Sequence, residues 1–310
     1  MTLPASVTIV EVGPRDGLQN EPGVVPTDVK IEFIDRLAAT GLTVVEATSF
    51  VHPTWVPQLA DAAEVIAGIT PVHGVRYPVL VPNIQGLDRA LQCGVAEVAV
   101  FGAASEAFSQ RNLNRSIDES LHMFRPVVVR ARETGMRVRA YVSTVLGCPF
   151  QGHVPIDDVR RVTASMFEMG CDEVSLGDTI GVGTVGPVQE LLGVLIDDVT
   201  ADRLAVHFHD TYGQGLANTL AAFEAGITIA DTSAGGLGGC PYAPGAKGNL
   251  ATEDLVYALH RSGVRTGVDL SALVDTSAWM ADQLGRPSQS RAGQAIQSKR
   301  DGGTEDPFVC

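Results

Sequence analysis

Long apolar runs are missing from this sequence: nothing approaches the roughly 20 residues that a membrane-crossing helix needs. Met1 to Val12 leads straight into a strand-like segment with no basic stretch ahead of an apolar one, so we expect a soluble cytoplasmic protein. Cations are also in short supply. Lys and Arg number 22 against 36 for Asp and Glu, a formal charge of -14. This argues against nucleic acid or an anionic membrane as partner, and an anionic substrate would require a locally basic mouth. The five cysteines, Cys93, Cys148, Cys171, Cys240 and Cys310, are odd in number and never closely paired. They point to neither a C-x-x-C zinc site nor a disulfide framework, and reduced thiols are expected. A glycine-rich phosphate turn after the first strand is lacking as well, which counts against an open doubly wound sheet. That turn reads Val12-Gly13-Pro14-Arg15-Asp16-Gly17.

What is present is a loose repeat. Helical patterns end in Gly41, Gly94, Gly135, Gly170 and Gly226, each followed at once by a short β-rich run, as suits a left-handed residue at a helix C-terminus. With Val7 to Val12, Arg76 to Val81 and Arg203 to His209 these runs make eight strand candidates. Helical stretches separate them, among them Asp28 to Thr40, Ile117 to Glu133, Ile156 to Met169 and Gly213 to Ala225. Strand then helix, eight times, predicts an α/β protein of the (β/α)8 (TIM) barrel class. At 310 residues and 45% hydrophobic the chain can fill such a core undivided. We place the barrel at residues 1–263 and a C-terminal helical extension at 264–310, with one helix from Leu270 to Leu284 and a polar, partly disordered tail from Gly285.

Barrels of this class carry their chemistry at the C-terminal ends of the strands. Arg15 and Asp16 follow the first candidate strand, Glu46, Thr48 and Ser49 end the second, Tyr141 and Ser143 the fifth, Ser175 and Asp178 the sixth, and His207 and His209 the seventh. The His207-Phe208-His209 spacing is the sharpest of these signals. Side chains two apart on a strand share a face, so both imidazoles can reach one ion. Beyond the last strand lies the glycine-rich stretch Ala234 to Asn249, which permits close backbone approach to a ligand or forms a mobile lid.

The segments Val12 to Glu21, Glu46 to Val51, Ser175 to Gly181, His207 to Gln214 and Gly235 to Tyr242 resemble, in order, those of the 3-hydroxy-3-methylglutaryl-CoA lyase family of metal-dependent barrel enzymes. Related Claisen-type synthases commonly carry glutamate after Arg-Asp-Gly, where this chain has Leu18, and lack the Cys240 loop in this form. The resemblance implies Asp16, His207, His209 and Asn249 as metal ligands, an oxygen-rich set that suits Mg²⁺ or Mn²⁺ better than tetrahedral zinc. It places Arg15 against the substrate carbonyl oxygen, Glu46 as the acid that steadies the cluster, and Cys240 as the thiol linked to enolate protonation. Asp178 and Glu253 match positions near the site or its support. Asn112, Tyr141, Ser143, Ser175, Asp178 and Thr179 are further candidates for the substrate pocket, and Lys247 for a coenzyme A phosphate.

The implied reaction cleaves 3-hydroxy-3-methylglutaryl-CoA to acetyl-CoA and acetoacetate. A cation at the hydroxyl and a donor at the thioester oxygen serve two separate electrostatic tasks. Either Asp16 or His207 serves as the base. Simpler roles compete: Arg15 as a rim salt bridge, Glu46 or Asp178 as a loop or helix cap, Lys247 as a solvated charge. Rival activities are a lyase for a longer-chain 3-hydroxyglutaryl-CoA or citramalyl-CoA, a condensing synthase, and a non-catalytic acyl-CoA binding protein. A homodimer is the expectation from the frequency of such assemblies.

Overall fold

The protein, a computed structural model, is described over residues 2–239 and 248–303. Alternation along the strands decides where each side chain goes. In Arg137–Ser143 the residues Val138, Ala140 and Val142 face the outer helices, while Arg137, Arg139, Tyr141 and Ser143 share the opposite, interior face. Nine strands are formed among the described residues: β1 Thr8–Glu11, β2 Val44–Val45, β3 Thr48–Ser49, β4 Val79–Leu80, β5 Glu97–Ala103, β6 Arg137–Ser143, β7 Glu173–Asp178, β8 Leu204–Phe208 and β9 Ile229–Thr232. All pairings are parallel, in the order β2-β1-β9-β8-β7-β6-β5-β4-β3.

That order closes on itself, because β2 and β3 are two halves of one stave. The lower half pairs with β1 and the upper half with β4, and Glu46 and Ala47 between them still donate to Glu11 and Pro78 carbonyls at 2.9 Å each. The result is the expected eight-staved barrel. The third stave is shorter than Arg76 to Val81 because Pro78 and Pro82 bracket it, and proline offers no amide to a ladder.

Eleven α-helices accompany the staves among the described residues: α1 Thr27–Ala39, α2 Ala62–Gly68, α3 Ile84–Gln92, α4 Glu106–Leu113, α5 Ile117–Glu133, α6 Ile156–Met169, α7 Val185–Asp198, α8 Gly215–Glu224, α9 Thr252–Arg261, α10 Leu270–Leu284 and α11 Arg291–Asp301. Helix α5 opens on a capping box, Ser116 Oγ accepting the Glu119 amide at 3.1 Å while the Glu119 carboxylate accepts the Ser116 amide at 2.8 Å. Helix α10 is capped by Asp269, ends at a left-handed Gly285, and packs on α1 and α9. None of these helices is long and apolar enough to cross a membrane.

The polar stretch from Gly285 is expected from sequence to be partly disordered, and residues 291–301 of it form α11. Ser290 caps it through the Gly293 amide at 2.9 Å and is itself bound to Asp254 at 2.7 Å, and Ile296 is buried beneath. A short polar sequence shows little of this, since the stabilising partners sit on α9, far away in the chain.

Gly41 turns the chain out of α1 at φ +93°, and a Cβ there would stand 2.2 Å from the Gly267 carbonyl oxygen. Gly41→Ala therefore combines a disfavoured dihedral with a backbone clash. It is expected to lower unfolding free energy by at least about 2 kcal/mol in chemical denaturation; a loss below about 0.5 kcal/mol would contradict this account.

Candidate active site

The strand C-termini surround a cavity of about 690 Å³. Its wall includes Arg15, Asp16, Tyr141, Ser143, His207 and His209, with Asn112 and Thr179 further round, so most of the expected residues converge. Arg15 and Asp16 come from the turn directly after β1. This turn is wound so tightly that the amides of Arg15, Asp16 and Gly17 all point at the Val12 carbonyl. Glycine is needed here: a Cβ on Gly17 would lie 2.8 Å from Ser233 Oγ and 2.9 Å from Leu237 Cβ.

Arg15 is buried and bridges two acids, Nε donating to Glu46 Oε2 at 2.7 Å and Nη1 to Asp16 Oδ1 at 2.8 Å. Burial acts to weaken its proton affinity, but the carboxylates of Glu46 and Asp16 more than reverse this and fix the positive charge. Burial pushes the Glu46 carboxyl up despite Arg15, and its Oε1 has no hydrogen-bond partner. Asp16 goes the other way. Burial opposes its ionisation, yet Arg15 and the two histidines bring its pKa down to about 2.

Asp16, His207 and His209 each offer one ligand atom, all within 4.8 Å of one another. The two Nε2 atoms are 3.3 Å apart, and Asp16 Oδ2 lies 3.9 Å from His207 Nε2. One carboxylate and two imidazoles present lone pairs to a common point, and His209 Nδ1 is buried with no partner. This donor set fits a divalent cation. Asn249 joins the cluster from the segment paired with His209: its Nδ2 donates to Asp16 Oδ2 at 2.9 Å and to the Leu237 carbonyl at 3.0 Å.

Two expected pocket residues do not line the cavity. Asp178 stands three residues from Ser175 and therefore on the opposite face of β7, where its carboxylate accepts the Gly183 amide at 2.8 Å and the Val182 amide at 3.2 Å. Burial raises its pKa to about 6. It organises the turn before α7, whose own N-cap is Thr184. Ser175 does face inward but lies deeper, its Oγ donating to Asp231 Oδ2 at 2.7 Å. Glu253 holds the root of the glycine-rich loop through the Gly235 amide at 2.9 and 3.0 Å, and burial raises its pKa to about 7. Cys240 and Lys247 lie outside the described residues. Gly239, just before Cys240, lines the cavity, and its carbonyl accepts from Asn20 at 2.8 Å.

A family model described as HMGL-like matches residues 6–280. The chain belongs to the HMGL-like family. A bovine protein named hydroxymethylglutaryl-CoA lyase, mitochondrial, is 55% identical over 294 residues, covering 95% of this chain and 90% of the relative. Among solved structures, hydroxymethylglutaryl-CoA lyase from Pseudomonas aeruginosa superposes with a TM-score of 0.95 at 53% identity, covering 96% of this chain and all of that one. An HMG-CoA lyase from Acinetobacter baumannii, solved in complex with coenzyme A and 3-methylmalate, gives 0.91 at 36% identity over 95% and 97% of the two chains.

Sequence reading of this HMGL-like chain missed the groups beneath the site. His207 Nδ1 lies 3.2 Å from Asp231 Oδ2, and Asp231 is in turn paired with Arg139. The available signal was a charge at an inward position of a strand, visible at both Asp231 and Arg139.

The two histidines are electrostatically unlike. For His207, burial would favour the neutral ring, but the Asp231 hydrogen bond and the charge of Asp16 outweigh it and raise the pKa. His209 has no such backing, and burial takes it down to about 4. Between pH 6.5 and 4 the unfolded chain therefore binds a proton at His209 that the folded chain refuses, so stability from this group falls as pH falls through that window. An imidazole NMR titration of the metal-free protein should place the His209 midpoint near pH 4; a midpoint at or above 6.5 would refute the assigned environment.

Proposed function

We propose that this chain cleaves 3-hydroxy-3-methylglutaryl-CoA to acetyl-CoA and acetoacetate. The observation that carries this reading is the juxtaposition of Arg15, locked between two carboxylates, with the Asp16–His207–His209 cluster on one cavity wall. Family membership and relatives named for that activity support it. The solved relative with coenzyme A and 3-methylmalate supports an acyl-CoA as the ligand class.

Breaking the C2–C3 bond moves negative charge from the C3 oxygen to the thioester oxygen, and a proton must leave the hydroxyl as this happens. Asp16, His207, His209 and Asn249 would hold a divalent cation such as Mg²⁺ or Mn²⁺, which would supply Lewis-acid stabilisation at that oxygen. Asn249 would use Oδ1, since Nδ2 is committed to Asp16 and Leu237. Arg15 would meet the charge that grows on the thioester oxygen. Its fork is already oriented by Glu46 and Asp16, so little reorganisation accompanies the reaction. Asp16 and His207 are the two candidate bases for that proton: without a cation, Arg15 and the histidines bring Asp16 down to about 2, while Asp231 and Asp16 raise His207. Tyr141 lines the cavity and its hydroxyl oxygen accepts a hydrogen bond from Arg139 at 2.9 Å. The assignment of Cys240 as the proton donor to the enolate carbon rests on family resemblance and on Gly239 at the cavity wall. A cytoplasmic location rests on the sequence reading alone, and the bovine relative is named mitochondrial.

The test is acetyl-CoA release from 3-hydroxy-3-methylglutaryl-CoA after chelation and after readdition of Mg²⁺ or Mn²⁺, with citramalyl-CoA as competitor. Activity should vanish with chelator and return with either ion; faster turnover of citramalyl-CoA would overturn the substrate assignment. Arg15→Gln should reduce kcat by at least about 100-fold with a smaller change in KM, and a near-normal kcat would remove Arg15 from the chemistry.

A further inference from the structure

Asp231 occupies the inward face of β9, beside His207 in the register of the neighbouring stave. Its Oδ1 accepts from Arg139 Nη2, while Oδ2 takes the Ser175 hydroxyl at 2.7 Å and faces His207 Nδ1 at 3.2 Å. All four side chains are buried, Asp231 at 3% exposure and Arg139 at 1%. Arg139 does not need Asp231 as its sole counter-ion, because Nε already donates to Glu173 at 2.5 Å. The second carboxylate is thus placed for something other than neutralising the arginine.

We propose that Asp231 is a positioning residue that holds a proton on His207 Nδ1 and so turns the bare Nε2 lone pair toward Asp16 and His209. An ionised carboxylate has no hydrogen to give, so the short contact forces Nδ1 to be the donor and leaves Nε2 as the acceptor atom. Arg139 and Ser175 keep the carboxylate charged and correctly rotated. This is the arrangement in which a carboxylate behind an imidazole fixes its tautomer and strengthens its basicity toward an ion. The inference rests on the functional reading given above only in taking His207 as a cation ligand, and it is tested by a signal independent of turnover.

That signal is the ¹⁵N chemical shift of His207 in the metal-free, full-length protein at pH 9, where the ring is neutral, assigned by comparison with His207→Gln. The expected result is a protonated Nδ1 and an unprotonated Nε2; a proton on Nε2 overturns the proposal whatever the enzyme's activity. Asp231→Asn keeps the size but lets the amide present either a donor or an acceptor to the ring. It should mix the two tautomers and weaken Mn²⁺ binding, read by calorimetry with the metal alone, by about 10- to 100-fold. Wild-type Mn²⁺ affinity with wild-type ¹⁵N shifts in a folded Asp231→Asn protein overturns the proposal. If that variant does not fold, the wild-type ¹⁵N spectrum decides. The expected tautomer in a protein that fails to cleave 3-hydroxy-3-methylglutaryl-CoA would sink the proposed reaction and leave this inference standing.

Discussion

The two buried arginines of this barrel each bridge two carboxylates, and the site depends on that constraint. Arg15 spans Asp16 and Glu46, Arg139 spans Glu173 and Asp231, and the half-exposed Arg137 extends the pattern to Glu97 and Glu173. An unpaired ion buried among these strands would be strongly unfavourable, so each charge has to be met by its opposite at hydrogen-bond distance. Parallel staves make this possible. Period-two alternation stacks Arg137, Arg139 and Tyr141 up one strand, and the adjacent stave sets Glu173 beside Arg139 and Ser175 beside Tyr141. The ladder of charges therefore runs from the floor of the barrel to the reactive rim, and the geometry at the top inherits the rigidity of the layers below.

A second group of acids is held differently. Glu11, at the end of β1, and Glu253, in the first turn of α9, are held without an arginine among their described partners and are raised by burial to about 7 each. Their partners are peptide amides and hydroxyls: Glu11 accepts from Gly13 at 2.7 Å, Ala234 at 2.9 Å and the Thr252 hydroxyl at 2.6 Å, Glu253 from Gly235 and Ser277. Both thus tie down the segment where the chain leaves β9 for the glycine-rich loop. The left-handed Gly235, Gly236 and Gly238 lie within or just beyond that anchored segment.

The barrel was legible because it is written locally. Helix-ending glycines, β-rich runs and caps within four residues of one another located the staves, and the boundaries of α5, α6 and α10 coincide with the sequence pattern. Strand ends then located Arg15, Asp16, His207 and His209 on one rim. The errors have equally physical origins. Ser175 and Asp178 were grouped because both end the same strand, although an odd spacing sends them to opposite faces. Asp231 and Arg139, 92 positions apart in sequence, carry no local mark of their pairing. Helix α11 depends on Asp254, which no local window contains. The roles given to Cys240 and Asn249 came from family resemblance rather than from periodicity.

A highly acidic chain that handles an acyl-CoA raises an electrostatic problem, and the expectation was a locally basic mouth. The described cavity wall does not supply one. Arg15 is its one full cation, already neutralised by Glu46 and Asp16, and Glu21 at the same wall is paired with Arg286 outside it. His209, with a pKa near 4, is neutral at physiological pH and adds no charge. Counting its Arg, Asp and Glu side chains, the wall has no surplus positive charge with which to attract a substrate bearing both a carboxylate and phosphates. The Asp16–His207–His209 cluster offers a resolution, since a divalent cation held there would convert a balanced wall into a cationic one. On this argument the cation requirement has two sources in the same place: the chemistry of the leaving bond and the charge balance of a protein that carries almost no free cations at its site.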